Sequence, residues 1–175
     1  MMKKIFVSGI YRSGTTFIQQ LLNRSSRSTV LYQPYFPIFR EFEREIKRNL
    51  FPRTVSKYPM GSLAFPDLAE IKNIKLDSNS ISNIVTDYID NLATYSSHKE
   101  SVEKEFLRYT AIHLRPGYLY DIIDQLFRNI TNYFGEHSQV GFKELFVVHF
   151  ANIMLDYDPD LAIILTVRDP REIYF

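Results

Sequence analysis

The spacing of apolar positions changes several times along the chain, and each change predicts an element. Ile5, Phe6 and Val7 stand in a row within Lys3–Ser8, which predicts a short buried strand. A loop from Gly9 to Gly14 follows, with glycine at both ends. From Thr15 to Asn23, Phe17, Ile18, Leu21 and Leu22 recur at helical spacing and predict a helix with that face inward. Strand, glycine-bounded loop and helix in this order open many α/β nucleotide-binding folds.

The far end repeats the alternation. Gln139 to Lys143 predicts a short strand. Phe146 to Leu155 predicts a helix with Val147, Phe150, Ala151 and Met154 on one face. Leu161 to Val167 is a continuous apolar run, the pattern of a strand covered on both faces in the middle of a parallel sheet. Pro159 marks a turn before it, and Pro170 is placed to start another helix. Strand, helix and strand at this spacing favour a right-handed parallel crossover.

The stretch from Tyr32 to Gly135 is mainly helical in pattern. Ile81–Tyr95 carries Ile84, Val85, Tyr88, Ile89 and Leu92 on a face. Tyr118–Phe134 carries Leu119, Ile122, Ile123, Leu126, Ile130 and Tyr133, with Pro116 and Gly135 as start and stop signals. These stripes predict core packing. Gln33-Pro34-Tyr35-Phe36-Pro37 is too aromatic for a plain linker and is a candidate to line a ligand site.

Composition narrows the function classes. The 175 residues suit one domain over 1–175, and 45% hydrophobic residues suffice for its core. Lys plus Arg number 21 and Asp plus Glu 20, a net charge of +1. That balance argues against a general nucleic-acid binder. The absence of Cys rules out disulfides and Cys-based metal or nucleophile sites, and fits a cytoplasmic protein. The apolar start breaks at Ser8-Gly9, too soon for a signal peptide, and no run reaches the ~20 apolar residues of a membrane span.

The chemistry is carried by Gly9-Ile10-Tyr11-Arg12-Ser13-Gly14-Thr15-Thr16, whose glycines have phosphate-loop spacing. Such a loop turns backbone N–H groups inward on phosphate oxygens, and the helix that follows adds its positive end. Thr15 and Thr16 add hydroxyl donors. A nucleoside triphosphatase has Lys after the second glycine, where this chain has Thr15; the nearest cation is Arg12.

This departure resembles the sulfotransferase family that uses 3′-phosphoadenosine 5′-phosphosulfate as donor. Arg12-Ser13-Gly14-Thr15-Thr16-Phe17 matches the family's 5′-phosphosulfate loop, a basic residue followed by Ser-Gly-Thr-Thr and an aromatic. By that resemblance, Ser13 to Thr16 hold the 5′-phosphate, with Phe17 closing the motif, and Arg12 sits near the bridging oxygen and the sulfuryl group. Thr166-Val167-Arg168-Asp169-Pro170 matches the strand end whose Arg binds the 3′-phosphate, which assigns Arg168. Guanidinium presents a planar fork of donors suited to that group. Lys143, in Gly141-Phe142-Lys143-Glu144, resembles the Lys that stabilises the leaving phosphate.

The resemblance implies an α/β, three-layer P-loop-type fold with a central parallel sheet and a large helical insert. It implies transfer of a sulfuryl group to a hydroxyl or amine, with no metal. Cytosolic members place their basic His where this chain has Leu145; other branches use Glu, which makes Glu144 the first candidate for the base. Adjacent strand residues point to opposite faces, so Lys143 and Glu144 need not both face the donor. Glu41, His113 and His149 are lesser candidates. Further donor contacts of the family fall past Phe175, so the chain is expected to be C-terminally truncated. The rivals are a P-loop kinase, against which Thr15 speaks, and a nucleotide-binding module without catalysis. The acceptor stays open among sugar, lipid, small alcohol and protein.

Overall fold

The computed structural model describes residues 2–9, 13–50, 68–90, 104–135, 138–145 and 147–167. Four strands form a sheet: β1 (Lys3–Gly9), β2 (Ser28–Tyr32), β5 (Gln139–Leu145) and β6 (Ala162–Thr166). Their order is β2-β5-β1-β6, and every pairing is parallel. All four strands therefore end at the same edge. Helix α1 (Thr15–Leu22) follows β1. The insert contributes α2 (Phe36–Leu50), α3 (Leu68–Lys72), α4 (Ser78–Asp90), α5 (Lys104–His113) and α6 (Leu119–Phe134). A two-strand antiparallel ribbon joins β3 (Lys75–Leu76) to β4 (Gly117–Tyr118). A 3₁₀ turn at Val148–Phe150 leads into α7 (Ala151–Tyr157).

Alternation along the strands assigns each side chain to a layer. Ile5, Val7 and Val30 pack with Ile18, Leu22 and Ile164 on the α1 side. Phe6, Leu31 and Phe142 point the other way, into the larger core shared with the insert helices. Phe142 is the hub of that core. Its ring lies 5.5 Å from Phe6, 5.0 Å from Tyr35, 6.0 Å from Phe39 and 5.2 Å from Phe127, centroid to centroid. The α/β class, the parallel sheet and the helical insert thus stand as expected.

Four expectations are corrected. Helix α1 does not bury Phe17 and Leu21, which are 63% and 48% exposed. It turns the row of Thr15, Ile18, Gln19 and Leu22 to the sheet instead. The reason is the outer edge of β2, whose polar backbone needs partners. Gln19 donates to the Val30 carbonyl at 2.7 Å. Asn23 donates to the same carbonyl at 2.8 Å and accepts the Val30 N–H at 2.7 Å. Second, β6 lies at the sheet edge among the described residues, not in the middle, and Leu165 is 46% exposed. An apolar run reports which residues want cover, not the strand's place in the order. Third, the helix expected over Phe146–Leu155 is a 3₁₀ turn and then α7, reaching Tyr157. Fourth, the β3–β4 ribbon interrupts the region read as helical, and at two residues each its strands are too short to show a period; β2, just ahead of that region, was not anticipated. Residues 91–95 of the helix expected over Ile81–Tyr95, and Pro170, lie outside the described residues.

Because Phe142 joins the sheet to four other rings, its loss leaves a cavity that the sheet cannot close. Phe142→Ala is expected to cost about 3–5 kcal/mol. Urea unfolding followed by circular dichroism checks it, through a lower midpoint at unchanged slope.

Candidate functional site

The register brings the three sequence motifs to one place. Gly9, the last residue of β1, stands opposite Leu145 on β5 and Thr166 on β6. The phosphate-type loop begins here, beside the strand end carrying Lys143 and the strand end leading to Arg168. Gly9 is required by contact. A Cβ there would lie 2.3 Å from Thr166 Oγ1 and 2.6 Å from Ser13 Oγ. Those two hydroxyls are themselves 2.7 Å apart.

Gly14 sits at the N-cap of α1 with φ 87°, a left-handed conformation that side chains resist. It turns the chain so that the first helical turn faces the sheet edge. The Gly14 carbonyl accepts the Ile18 N–H at 3.1 Å. Thr15 is buried, Ser13 and Thr16 are half-buried, and Phe17 is exposed. Backbone donors of a first helical turn and flanking hydroxyls are the groups that hold an anionic oxygen cluster. Arg12 and Arg168 lie outside the described residues.

Lys143 and Glu144 separate as strand geometry demands. Lys143 stands opposite Val7 and Tyr32, so it projects on the α1 side. It is 0% exposed, and its Nζ lies 3.7 Å from the centre of the Tyr32 ring. That face of an aromatic ring is a favourable place for a desolvated ammonium. Glu144 stands opposite Ser8 and projects into the insert side, also at 0% exposure. Its Oε1 accepts the Tyr35 N–H at 2.5 Å, and its Oε2 has no hydrogen-bond partner among the described residues. Burial pushes the carboxyl up to about 8, against the opposing pull of the Tyr35 N–H and the Lys143 charge.

The Gln33–Pro37 segment is built into this arrangement. Gln33 has φ 46°, a left-handed backbone on a non-glycine residue, and its N–H donates to the Lys143 carbonyl at 2.8 Å. The Tyr88 hydroxyl donates to the Pro34 carbonyl at 2.7 Å. The Tyr35 hydroxyl donates to the Leu126 carbonyl at 2.7 Å, and burial together with the nearby Glu144 charge raises that phenol well above its usual value. Pro34, Tyr35 and Pro37 are buried, so these residues brace the sheet edge rather than line an open cavity. Only Gln33 and Phe36 are part-exposed.

The lesser base candidates lie elsewhere. Glu41 is occupied by Arg44 at 2.8 Å and Asn83 at 3.3 Å. His113 is exposed, stacked on Tyr109 with centroids 3.9 Å apart, and its Nδ1 is 2.8 Å from the Tyr109 carbonyl oxygen. The His149 side chain lies outside the description. Sequence reasoning gave Tyr32 no role and named Gln33 and Thr166 only as parts of longer segments. Thr166 had a legible signal, a hydroxyl in an otherwise apolar strand. The Tyr32 ring contact and the Gln33 backbone had none, because a ring under an ammonium and a positive φ arise only from packing.

Comparison with known proteins agrees with the motif reading. No curated protein matches the chain. A family model described as the sulfotransferase family matches residues 4–174, from the start of β1 past the end of β6. With the phosphate-type loop, the Lys143 strand and the Thr166 strand meeting at one sheet edge, and with that match spanning nearly the whole chain, the protein belongs to the sulfotransferase family.

Proposed function

We propose that the protein transfers a sulfuryl group from 3′-phosphoadenosine 5′-phosphosulfate to a hydroxyl or amine acceptor. The observation that carries this is the meeting, at Gly9, of the phosphate-type loop with the ends of β5 and β6. The residues present fit such a donor. A left-handed Gly14, the Ser13 backbone, the Thr15 hydroxyl and the first turn of α1 suit the 5′-phosphate. Phe17, exposed beside them, offers a ring to the nucleotide. Arg168 supplies the guanidinium for the 3′-phosphate.

The bound donor supplies a sulfuryl group on a phosphate oxygen; transfer forms a bond from sulfur to the acceptor atom and breaks the bond to the bridging oxygen, while the acceptor's proton passes to a base. Arg12 and Lys143 offset the charge that gathers on the leaving side. They do so strongly because Lys143 is desolvated. Glu144 is the proposed base. Its unpartnered Oε2 and its raised pKa, near the range where a base works best at neutral pH, support that role. A phosphoryl-transfer reading is disfavoured by Thr15, which stands where such an enzyme needs Lys.

Calorimetric titration without magnesium tests the donor site. The desulfated nucleotide, 3′-phosphoadenosine 5′-phosphate, is expected to bind at least tenfold more tightly than ATP; equal affinities would sink the proposal. In the same titration, Arg12→Ala or Arg168→Ala is expected to weaken binding by about 1.5–3 kcal/mol, the range of a hydrogen bond to a charged group. Unchanged affinity in both variants removes the assignment.

Glu144 gives a pH prediction. Its folded pKa, about 8, lies above the ordinary carboxyl value of 4.5, so folding favours the protonated form. The stability this contributes is full below 4.5 and is lost as pH rises through about 8. Glu144→Gln keeps an acceptor for the Tyr35 N–H and carries no charge. Its melting temperature should therefore gain on the wild type steadily from pH 5 to pH 8. A constant difference across that range would show that Glu144 does not titrate there. If Glu144 is the base, the same variant keeps its affinity for the bisphosphate and loses turnover.

A further inference from the structure

We infer that Thr166 is a positioning residue of the donor site, whose hydroxyl locks the 5′-phosphate loop to the end of β6; the inference rests on the proposed donor. Thr166 closes β6 opposite Gly9 and is half-buried. Its Oγ1 lies 2.7 Å from Ser13 Oγ and 3.4 Å from the Ser8 carbonyl oxygen. A hydroxyl has one proton to give. With that proton on the Ser8 carbonyl, Thr166 accepts the proton of Ser13. The chain then runs from Ser13 through Thr166 to the backbone of β1.

The space for this contact comes from Gly9. Any Cβ at Gly9 would overlap both hydroxyl oxygens. Gly9 and Ser13, which flank residues 10–12 in sequence, thus both lie close against one side chain. That side chain stands two positions before Arg168, the residue assigned to the 3′-phosphate. One hydroxyl therefore ties together the two segments that must engage the two phosphates of a single nucleotide. Fixing them beforehand removes part of the ordering cost that a bisphosphate ligand would otherwise meet on binding. A ligand with one phosphate engages one segment and gains little from the tie.

The test compares 3′-phosphoadenosine 5′-phosphate with adenosine 5′-phosphate by calorimetry on the full chain. Thr166→Val keeps the shape and removes the hydroxyl. It is expected to weaken the bisphosphate about tenfold, some 1.4 kcal/mol, and to change the monophosphate by no more than about twofold. Thr166→Ser restores the hydroxyl and should restore the bisphosphate affinity. Ser13→Ala combined with Thr166→Val should bind no more weakly than the worse single variant, because both remove one interaction. Bisphosphate binding within twofold of wild type in Thr166→Val overturns the inference. So does an equal loss for both nucleotides, which would mark a general disturbance of the fold. A wild type that does not prefer the bisphosphate fails one step earlier and removes the donor proposal, and this inference with it.

Discussion

The two parallel ladders of β1 are the constraint on which the rest of the structure depends. β1 is paired on both sides, to β5 over Lys3–Gly9 and to β6 over Ile5–Gly9. Both registers bring their partners' ends level with Gly9. Because side chains alternate along a strand, a slip of one residue would reverse every face. Lys143 would then enter the aromatic core in place of Phe142, and Glu144 would lie under α1. The apolar pattern of Ile5, Val7 and Val30 against α1, and of Phe6, Leu31 and Phe142 against the insert, excludes that slip. Core packing thereby places the two groups proposed for the chemistry.

Two neighbouring charges illustrate what this placement does. Lys143 and Glu144 are adjacent in sequence and equally buried, yet they lie on opposite sides of the sheet. An ammonium without exposure is kept against the ring of Tyr32. A carboxyl without exposure is held by the Tyr35 N–H and raised toward its neutral form by burial. The charged forms of both cost desolvation energy, which stable packing alone would not select. Their presence at the sheet edge fits a site where charge has to be met as it develops.

The segment after β2 shows how the insert is coupled to that edge. Gln33, Pro34 and Tyr35 each have a backbone group bound to another element: β5 through Lys143, α4 through Tyr88, and β5 again through the Glu144 carboxyl. The Tyr35 hydroxyl adds α6. Gln33 pays for its position with a left-handed backbone that a side chain resists. The insert is therefore pinned directly to the strand that carries Lys143.

The sequence by itself determined the α/β class, the strand–loop–helix opening and the family. Runs of buried residues and glycine spacing are local properties of a chain, and the family motif is contiguous. It also determined that Lys143 and Glu144 diverge, since alternation along a strand is local too. It did not determine which row of α1 faces inward, because that choice depends on Val30, whose open backbone draws in Gln19 and Asn23. Nor did it order the strands. β1 and β6 are far apart in the chain, and only the folded sheet sets Thr166 beside Gly9 and Ser13. Contacts between distant residues are decided by how the layers pack together, and no local pattern carries that information.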